Sequence, residues 1–367
     1  MPTKPKRYLL LSANPPTSKT GCGKRTLATA NFLRQLGCEV TFWCPLANTN
    51  SDDIIEAQAF GRIVTNHTDL NPAYDVAWSM NNWTRKSIKW AIDAHIFCRQ
   101  QLSTKVAVDA TGDLLRAGKA YWKEIDASAY ADYVKLERLL WARLDVLLMV
   151  SEGLKQRVKA LKPKCALGVL PLAQVPLKYL PSYSASSRAA SIGMPGTMHD
   201  PNVAHFKWFL KNVWPHIYKR DKDLSLSIFG RGSEALTPLC RSIDGAEAKG
   251  TVDSFRNELA KHRLIVVPAD APGGVKTVVI EALAAGTPII TVPNVLDNLG
   301  ISPGPALLTA ESTSQFVERI LGLFKSGQRG NVELHMNAEL ALYRYKNDFD
   351  TCMHTNLAYI EQLLKER

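Results

Sequence analysis

An α/β protein of two parallel-sheet domains with a helical tail is what this sequence predicts, and three observations predict it. Short apolar stretches alternate with helix-like stretches from residue 7 onward. The alternation breaks at "LKYLPSYSASSRAAS" (177–191) and then restarts. The last stretch, about forty residues, has no strand signal. Strands regularly separated by helices form parallel β–α–β units in a doubly wound sheet. A length of 367 residues also suits two domains better than one small core.

The first half reads as strands at "RYLLLSA" (7–13), "EVTFWCP" (39–45), "DVAWSM" (75–80), "KVAVDAT" (105–111), "DVLLMVS" (145–151) and "CALGVLP" (165–171). Val, Leu and aromatic residues dominate them, as a pleated buried surface requires. Helix-like stretches lie between, such as "KRTLATANFLRQLG" and "YADYVKLERLLWARL". Gly37 ends the first of these, where a helix C-terminus favours a residue free to turn left-handed. The Ser- and Pro-rich stretch that follows the sixth strand reads as a linker. Beyond it come "ASIGMPG", a helix through "VAHFKWFLKNVWPHIYKR", "LSLSIFG", "AEAKGTV", "LIVVPAD", "TPIITVP" and "PALLTA", with helices between the later strands. The expected boundaries are 1–176 for the first domain, 177–190 for the linker, 191–345 for the second domain and 346–367 for a C-terminal helix packing back toward the first domain.

Composition excludes several classes. The chain is 46% hydrophobic and 22% charged, an ordinary globular balance. No stretch approaches the roughly 20 uninterrupted apolar residues of a membrane span. The N-terminal apolar run is only "YLLL", a buried strand rather than a signal peptide. Seven cysteines lie scattered without a C-x-x-C pair or a His/Cys metal spacing, so reduced thiols, a cytoplasmic location and no metal site are expected. Lys plus Arg number 45 against 34 Asp plus Glu, a net charge of +11. That excess suits anionic partners: the phosphates of a small donor, an anionic membrane face or nucleic acid. A generally basic, solubilising surface would look the same.

Ligands of two-domain α/β proteins sit in a cleft at the carboxyl ends of the strands. Three stretches fall at such ends. In "PADAPGGVKTVVIEALAAGTPIITVP" (268–293), Gly273 and Gly274 precede a helix expected to start at Val275. Free N–H groups and the positive helix end suit a phosphate, and glycine lets it approach. Lys276 in the first turn opposes the helix dipole, which an anion would offset. Gly274, Thr277 and Glu281 share one helix face, with Glu281 about 10 Å along the axis from the glycines, near the span from diphosphate to ribose. A tight turn and a solvated glutamate would explain the same residues.

The second stretch, "SANPPTSKTGCGKRTLATANFLRQLG", places Gly21, Gly23 and Arg25 at a helix start, without the spacing of an ATPase P-loop. The third, "VAVDATGDLLR", puts Asp109 and Asp113 at or past a strand end, near Arg116, where a carboxylate serves as a base or simply caps a helix. His199 in "GTMHDPN" is another strand-end residue. Trp208, Phe209 and Trp214 recur at helical spacing and read as core.

In order, "IGMPGTMHDPNVAHFKWFLKNVWPHI", "LSLSIFGRG", "GTVDSFRNEL" and "LIVVPADAPGGVKTVVIEALAAGTPIITVP" resemble the second domain of family 4 glycosyltransferases (glycosyl transferases group 1, GT-B fold). The resemblance is strongest from 190 to 293 and extends to "WARLDVLLMVSEGLKQRV". It implies two Rossmann-like domains with parallel sheets facing a cleft, and retaining transfer of a sugar from a nucleotide donor without a structural metal or a tightly bound cofactor. Position by position, it implies that Glu281 binds ribose hydroxyls and that Gly273, Gly274 and Lys276 surround the donor diphosphate or sugar, with Thr277 expected beside them in the same binding stretch. Gly21, Gly23 and Arg25 then approach the donor from the first domain. The family often carries an earlier Glu where Gly273 stands, and an Arg and a Lys that "GMPGTMHDPN" lacks; Arg231 or Lys276 is expected to supply the charge. Asp113 stands near the place of the family's first-domain His, so Asp113 and Lys276 are the expected catalytic residues. The expected donor is a UDP-, GDP- or ADP-sugar, and the expected acceptor a lipid-linked or envelope glycan at the inner membrane face. A nucleic-acid acceptor and a non-catalytic nucleotide-sugar-binding protein remain as alternatives.

Overall fold

The computed structural model describes residues 4–13, 15–17, 21–45, 51–80, 85–110, 127–172, 189–198, 200–268, 275–325, 338 and 349–367. The chain divides into two compact units, one drawn from Met1–Pro176, Pro272–Val275 and Asn347–Arg367, the other from Leu177–Ala271 and Lys276–Lys346.

The first unit is built on β1 (Arg7–Leu11), β2 (Glu39–Trp43), β3 (Arg62–Val64), β4 (Val76–Met80), β5 (Val106–Ala110), β6 (Val146–Met149) and β7 (Ala166–Val169). They pair in parallel in the order β3-β2-β1-β4-β5-β6-β7. The helices are α1 (Gly21–Gln35), α2 (Ser51–Gln58), α3 (Arg85–Gln101), α4 (Ala127–Trp141) and α5 (Glu152–Lys159). A parallel sheet buries both faces, and successive residues of β1 alternate between them. Tyr8 and Leu10 join Trp78, Val106 and Val108 in one core, against Leu33 of α1. Leu9 and Leu11 join Trp43 and Ala77 in another, against Ala94 and Cys98 of α3. The helix 349–365 adds Phe349, Met353, Leu357 and Ile360 to the first of these cores. Its Asn356 donates to the carbonyl of Val169 at 2.8 Å, and its Glu361 pairs with Lys6.

The second unit pairs six parallel strands in the order β10-β9-β8-β11-β12-β13. These are β8 (Ala189–Pro195), β9 (Ser225–Phe229), β10 (Ala246–Gly250), β11 (His262–Val267), β12 (Ile289–Thr291) and β13 (Leu307–Thr309). Helices α6 (Asp200–Asn212), α7 (Trp214–Arg220), α8 (Thr237–Cys240), α9 (Phe255–Lys261), α10 (Thr277–Ala284), α11 (Pro293–Leu299) and α12 (Thr313–Lys325) complete it. Phe209 and Trp214 are buried in its core with Phe206, Leu226, Val266 and Phe316, and Trp208 packs at the margin. Trp214 also donates its indole N–H to the carbonyl of Asp244 at 2.8 Å.

Several elements differ from the sequence expectation. The helix read through "VAHFKWFLKNVWPHIYKR" is two helices, because Pro215 lies in the first turn of α7, where its missing N–H costs nothing. Strand β3 has only three residues, too short for a periodic signal. Helix α4 ends at Trp141, three residues before the end of "YADYVKLERLLWARL" at Leu144. Strand β8 begins at Ala189, inside the stretch read as linker. Gly37 does turn left-handed after α1, with φ of 78°, and its N–H meets the carbonyl of Arg34 at 2.9 Å. Among the described residues no helix is long and apolar enough to cross a membrane. Six described cysteines are free thiols, and burial pushes Cys44 and Cys98 up to about 12.

One buried polar chain stands out on the α3 face of the first sheet. His95 approaches the Ser79 hydroxyl with Nε2 at 2.9 Å, and that hydroxyl donates to Asp109 Oδ1. The serine has one proton, so Nε2 carries the hydrogen and Nδ1, which has no partner among the described residues, is the bare nitrogen. Burial, aided by Arg99 and opposed by Asp145, holds His95 at about 3. The unfolded chain takes up this proton near pH 6.5, whereas the folded chain resists it down to about 3. His95 therefore stabilises the fold fully above pH 6.5 and progressively less as pH falls toward 3. Urea unfolding of the His95→Gln variant, which keeps an N–H donor but cannot titrate, is expected to lose about 2 kcal/mol less than the parent between pH 7 and pH 5.

Candidate functional site

In the second unit β8 pairs with β9 on one side and with β11 on the other. The connection after β8 therefore runs toward one face and the connection after β11 toward the other, which opens a crevice at their carboxyl ends. Both connections carry residues singled out above. After β8, Gly196 and Thr197 lead toward α6, whose Asn202 is buried. After β11, the chain reaches Lys276 and α10. Lys276 donates to Asn202 Oδ1 at 2.7 Å, and Asn202 Nδ2 donates to the Thr197 carbonyl at 2.8 Å. This chain of bonds ties the two sides of the crevice together and holds the ammonium in one place.

Helix α10 begins at Thr277, two residues later than expected, because Lys276 is extended (φ −86°, ψ 93°). The expected helical spacing from Gly274 to Glu281 is corrected accordingly. Glu281 lies one turn inside the helix, about 6 Å along the axis from Thr277. It is 5% exposed, which separates it from an ordinary solvated helical glutamate. Arg256 of α9 approaches its Oε2 at 3.8 Å. A buried carboxylate facing a cation and placed one turn from a fixed ammonium suits a ligand that carries both hydroxyls and phosphates. Gly273, Gly274 and His199 lie outside the described residues.

Arg231 follows β9 on an exposed turn between Gly230 and Gly232, and its carbonyl accepts from the Met198 N–H at 2.9 Å. Gly230 has φ of 122°, and a Cβ there would stand 2.3 Å from the carbonyl oxygen of Gly196. The turn thus lies directly against the β8 connection, with Arg231 at the same edge of the sheet as Thr197.

In the first unit the same divergence occurs at β1, which pairs with β2 and β4. Gly21 and Gly23 open α1 at that carboxyl edge. A Cβ on Gly23 would come within 2.1 Å of the Thr17 carbonyl oxygen, so glycine permits the loop to close on the helix. Arg25 is not at the surface: it is 3% exposed. Its guanidinium donates through Nη1 to the Ala110 carbonyl at 2.7 Å and through Nη2 to the Leu170 carbonyl at 2.9 Å. It fastens the ends of two strands, a different placement from the donor-facing cation read from the sequence. Asp113 and Arg116 lie outside the described residues, while Asp109 is buried at the end of β5. His95, Ser79, Asn202 and Arg256 were not picked out as candidates. Only Asn202 had a local signal, its place beside Pro201 at the start of a helix.

No curated protein matches the chain. The family model described as glycosyl transferases group 1 matches residues 189–326. The second unit carries a glycosyl transferase group 1 domain. By that domain the protein is a glycosyltransferase, and its two units together have the GT-B fold. Among solved structures, the HepE protein of Anabaena in complex with UDP and glucose is 11% identical over 97% of this chain and 100% of its own, with a TM-score of 0.68. A glycosyltransferase of Rickettsia africae is 12% identical over 99% and 100%, with a TM-score of 0.69. The sucrose-phosphate synthase of Thermosynechococcus elongatus is 14% identical over 99% and 100%, with a TM-score of 0.70. At these identities the likeness is one of fold.

The Arg25 fork makes a claim of its own about this glycosyltransferase. Replacing Arg25 by Met leaves two buried carbonyls without those donors, and urea unfolding is expected to show a loss of about 2–5 kcal/mol. Lys at the same position is expected to recover only part of it, because one ammonium lacks the planar fork.

Proposed function

We propose that this glycosyltransferase moves a sugar from a nucleotide-sugar donor to an acceptor hydroxyl, with retention of configuration at the transferred carbon. The observation that carries the reading is the buried Glu281 on α10, one turn from the anchored Lys276, inside the group 1 domain. Glu281 accepts hydrogen bonds from the donor's ribose hydroxyls. Lys276, whose ammonium is already oriented by Asn202, meets the negative charge that grows on the diphosphate as the sugar leaves. A fixed cation of this kind needs no reorganisation at the moment of bond breaking. Thr277, Gly273 and Gly274 border the same phosphates, and Arg231 adds charge at that edge. HepE is known with UDP-glucose bound, which favours a UDP-sugar over GDP- or ADP-sugars as donor.

The first unit handles the acceptor side in this reading, with Asp113 near the reacting hydroxyl and Gly21 and Gly23 at the strand end. Arg25 shapes that edge without touching the donor. The acceptor is a lipid-linked or envelope glycan, and the net charge of +11 suits work beside an anionic membrane on the cytoplasmic side.

Calorimetric titration with UDP-, GDP- and ADP-sugars tests the donor site. Glu281→Gln and Lys276→Ala are each expected to weaken the preferred donor by about ten- to a hundred-fold, the worth of one charge-assisted hydrogen bond. Failure of every nucleotide sugar to bind the parent protein would sink the proposal. Binding without transfer or donor hydrolysis over long incubation would point to a non-catalytic protein. Salt-dependent retention on DNA, with no flotation on anionic liposomes, would move the acceptor to nucleic acid.

A further inference from the structure

Glu281 and Arg256 come from different helices, α10 and α9, and their pairing is not a surface ion pair. The Glu281 side chain is 6% exposed and that of Arg256 26%. Arg256 sits in the first turn of α9, just past the cap formed by Ser254, whose hydroxyl accepts from the Asn257 N–H at 3.3 Å. A cation is disfavoured there by the helix dipole, and burial disfavours it further. Burial lowers the guanidinium's affinity for its proton, and the neighbouring Glu281 acts in the opposite sense.

The next acid on the same helix shows what an ordinary structural pairing looks like. Glu258 is met by Lys249 at 2.8 Å and by Lys261 at 2.7 Å, both within hydrogen-bond reach. Glu281 meets Arg256 at 3.8 Å, too far for a hydrogen bond but close enough for charge to act.

We infer that Arg256 is a positioning residue for donor binding, which holds the Glu281 side chain oriented so that its carboxylate meets the ribose hydroxyls. Arg256 itself need not touch the donor. The inference rests on the reading of Glu281 as the ribose-binding carboxylate. It extends the donor site to α9, outside the loop and helix where the sequence resemblance places it. Because what Arg256 supplies at 3.8 Å is charge, lysine in its place keeps the function and a neutral side chain of similar length does not.

The test is a double-mutant cycle read as UDP affinity by calorimetry, with thermal melting of each variant alongside. Arg256→Gln is expected to weaken UDP about tenfold, and Arg256→Lys to stay within about threefold of the parent. In the Glu281→Gln background, Arg256→Gln is expected to change affinity by less than about threefold, since the carboxylate it serves is gone. A loss under about threefold for Arg256→Gln, or an equal loss in both backgrounds, overturns the inference. If Arg256→Gln does not fold, Arg256→Lys decides: affinity within about threefold supports the role and a larger loss overturns it. Should the parent not bind UDP, or Glu281→Gln bind as tightly as the parent, the reading of Glu281 falls and takes this inference with it. If Glu281→Gln weakens UDP while Arg256→Gln does not, the role of Arg256 alone falls.

Discussion

The arrangement around Lys276 and Asn202 depends on the pairing of β8 with β9 on one side and β11 on the other. A central strand with parallel neighbours on both sides sends its own connection one way and its neighbour's the other. Residues distant in sequence then meet at the strand ends, and the 2.7 Å bond between Lys276 and Asn202 is the direct result. The glycine turn at Gly230 follows from the same packing, since its backbone lies against Gly196 of the β8 connection. In the first unit, the position of β1 between β2 and β4 sets Gly21 and Gly23 at the corresponding edge.

The architecture was legible because both of its signals are local. Apolar runs of four to seven residues separated by helical spacing need no knowledge of the partner strands, and Gly37 marks a helix end by its own backbone freedom. The site was legible in part. Glu281 and Lys276 sit on a recognisable stretch, but what makes them a site is not in that stretch. Asn202 lies 74 residues from Lys276, and Arg256 lies on another helix from Glu281. The start of α10 was misread because its first turn carries no capping side chain to mark it. Arg25 was misread for a related reason. A cation beside two glycines at a helix start resembles an anion site in sequence, and only the fold brings the Ala110 and Leu170 carbonyls to it.

These residues also qualify the meaning of the net charge. Three cations, Arg25, Arg256 and Lys276, are occupied with partners in the protein itself: two carbonyls, a carboxylate and an amide oxygen. Each is immobilised at a polar cost that a freely solvated lysine does not bear. The surplus of positive charge on the surface is a separate property, concerned with what the whole molecule is attracted to. What the interior cations do is hold geometry. The same division appears in the His95–Ser79–Asp109 chain, where a histidine of α3 is kept neutral against the sheet so that it serves as a donor of one hydrogen bond.

The helix at 349–365 gives the chain a particular order of assembly. Phe349, Met353, Leu357 and Ile360 line a core whose other walls are strands from the first half of the sequence. Each buried side chain of this size is worth roughly 2 kcal/mol, so the first unit lacks a substantial part of its stability until they arrive. During synthesis the described strands of the second unit and its helix Thr313–Lys325 are made before these residues emerge. The unit whose strands are made first therefore gains this part of its core only after the described strands of the second unit have been made.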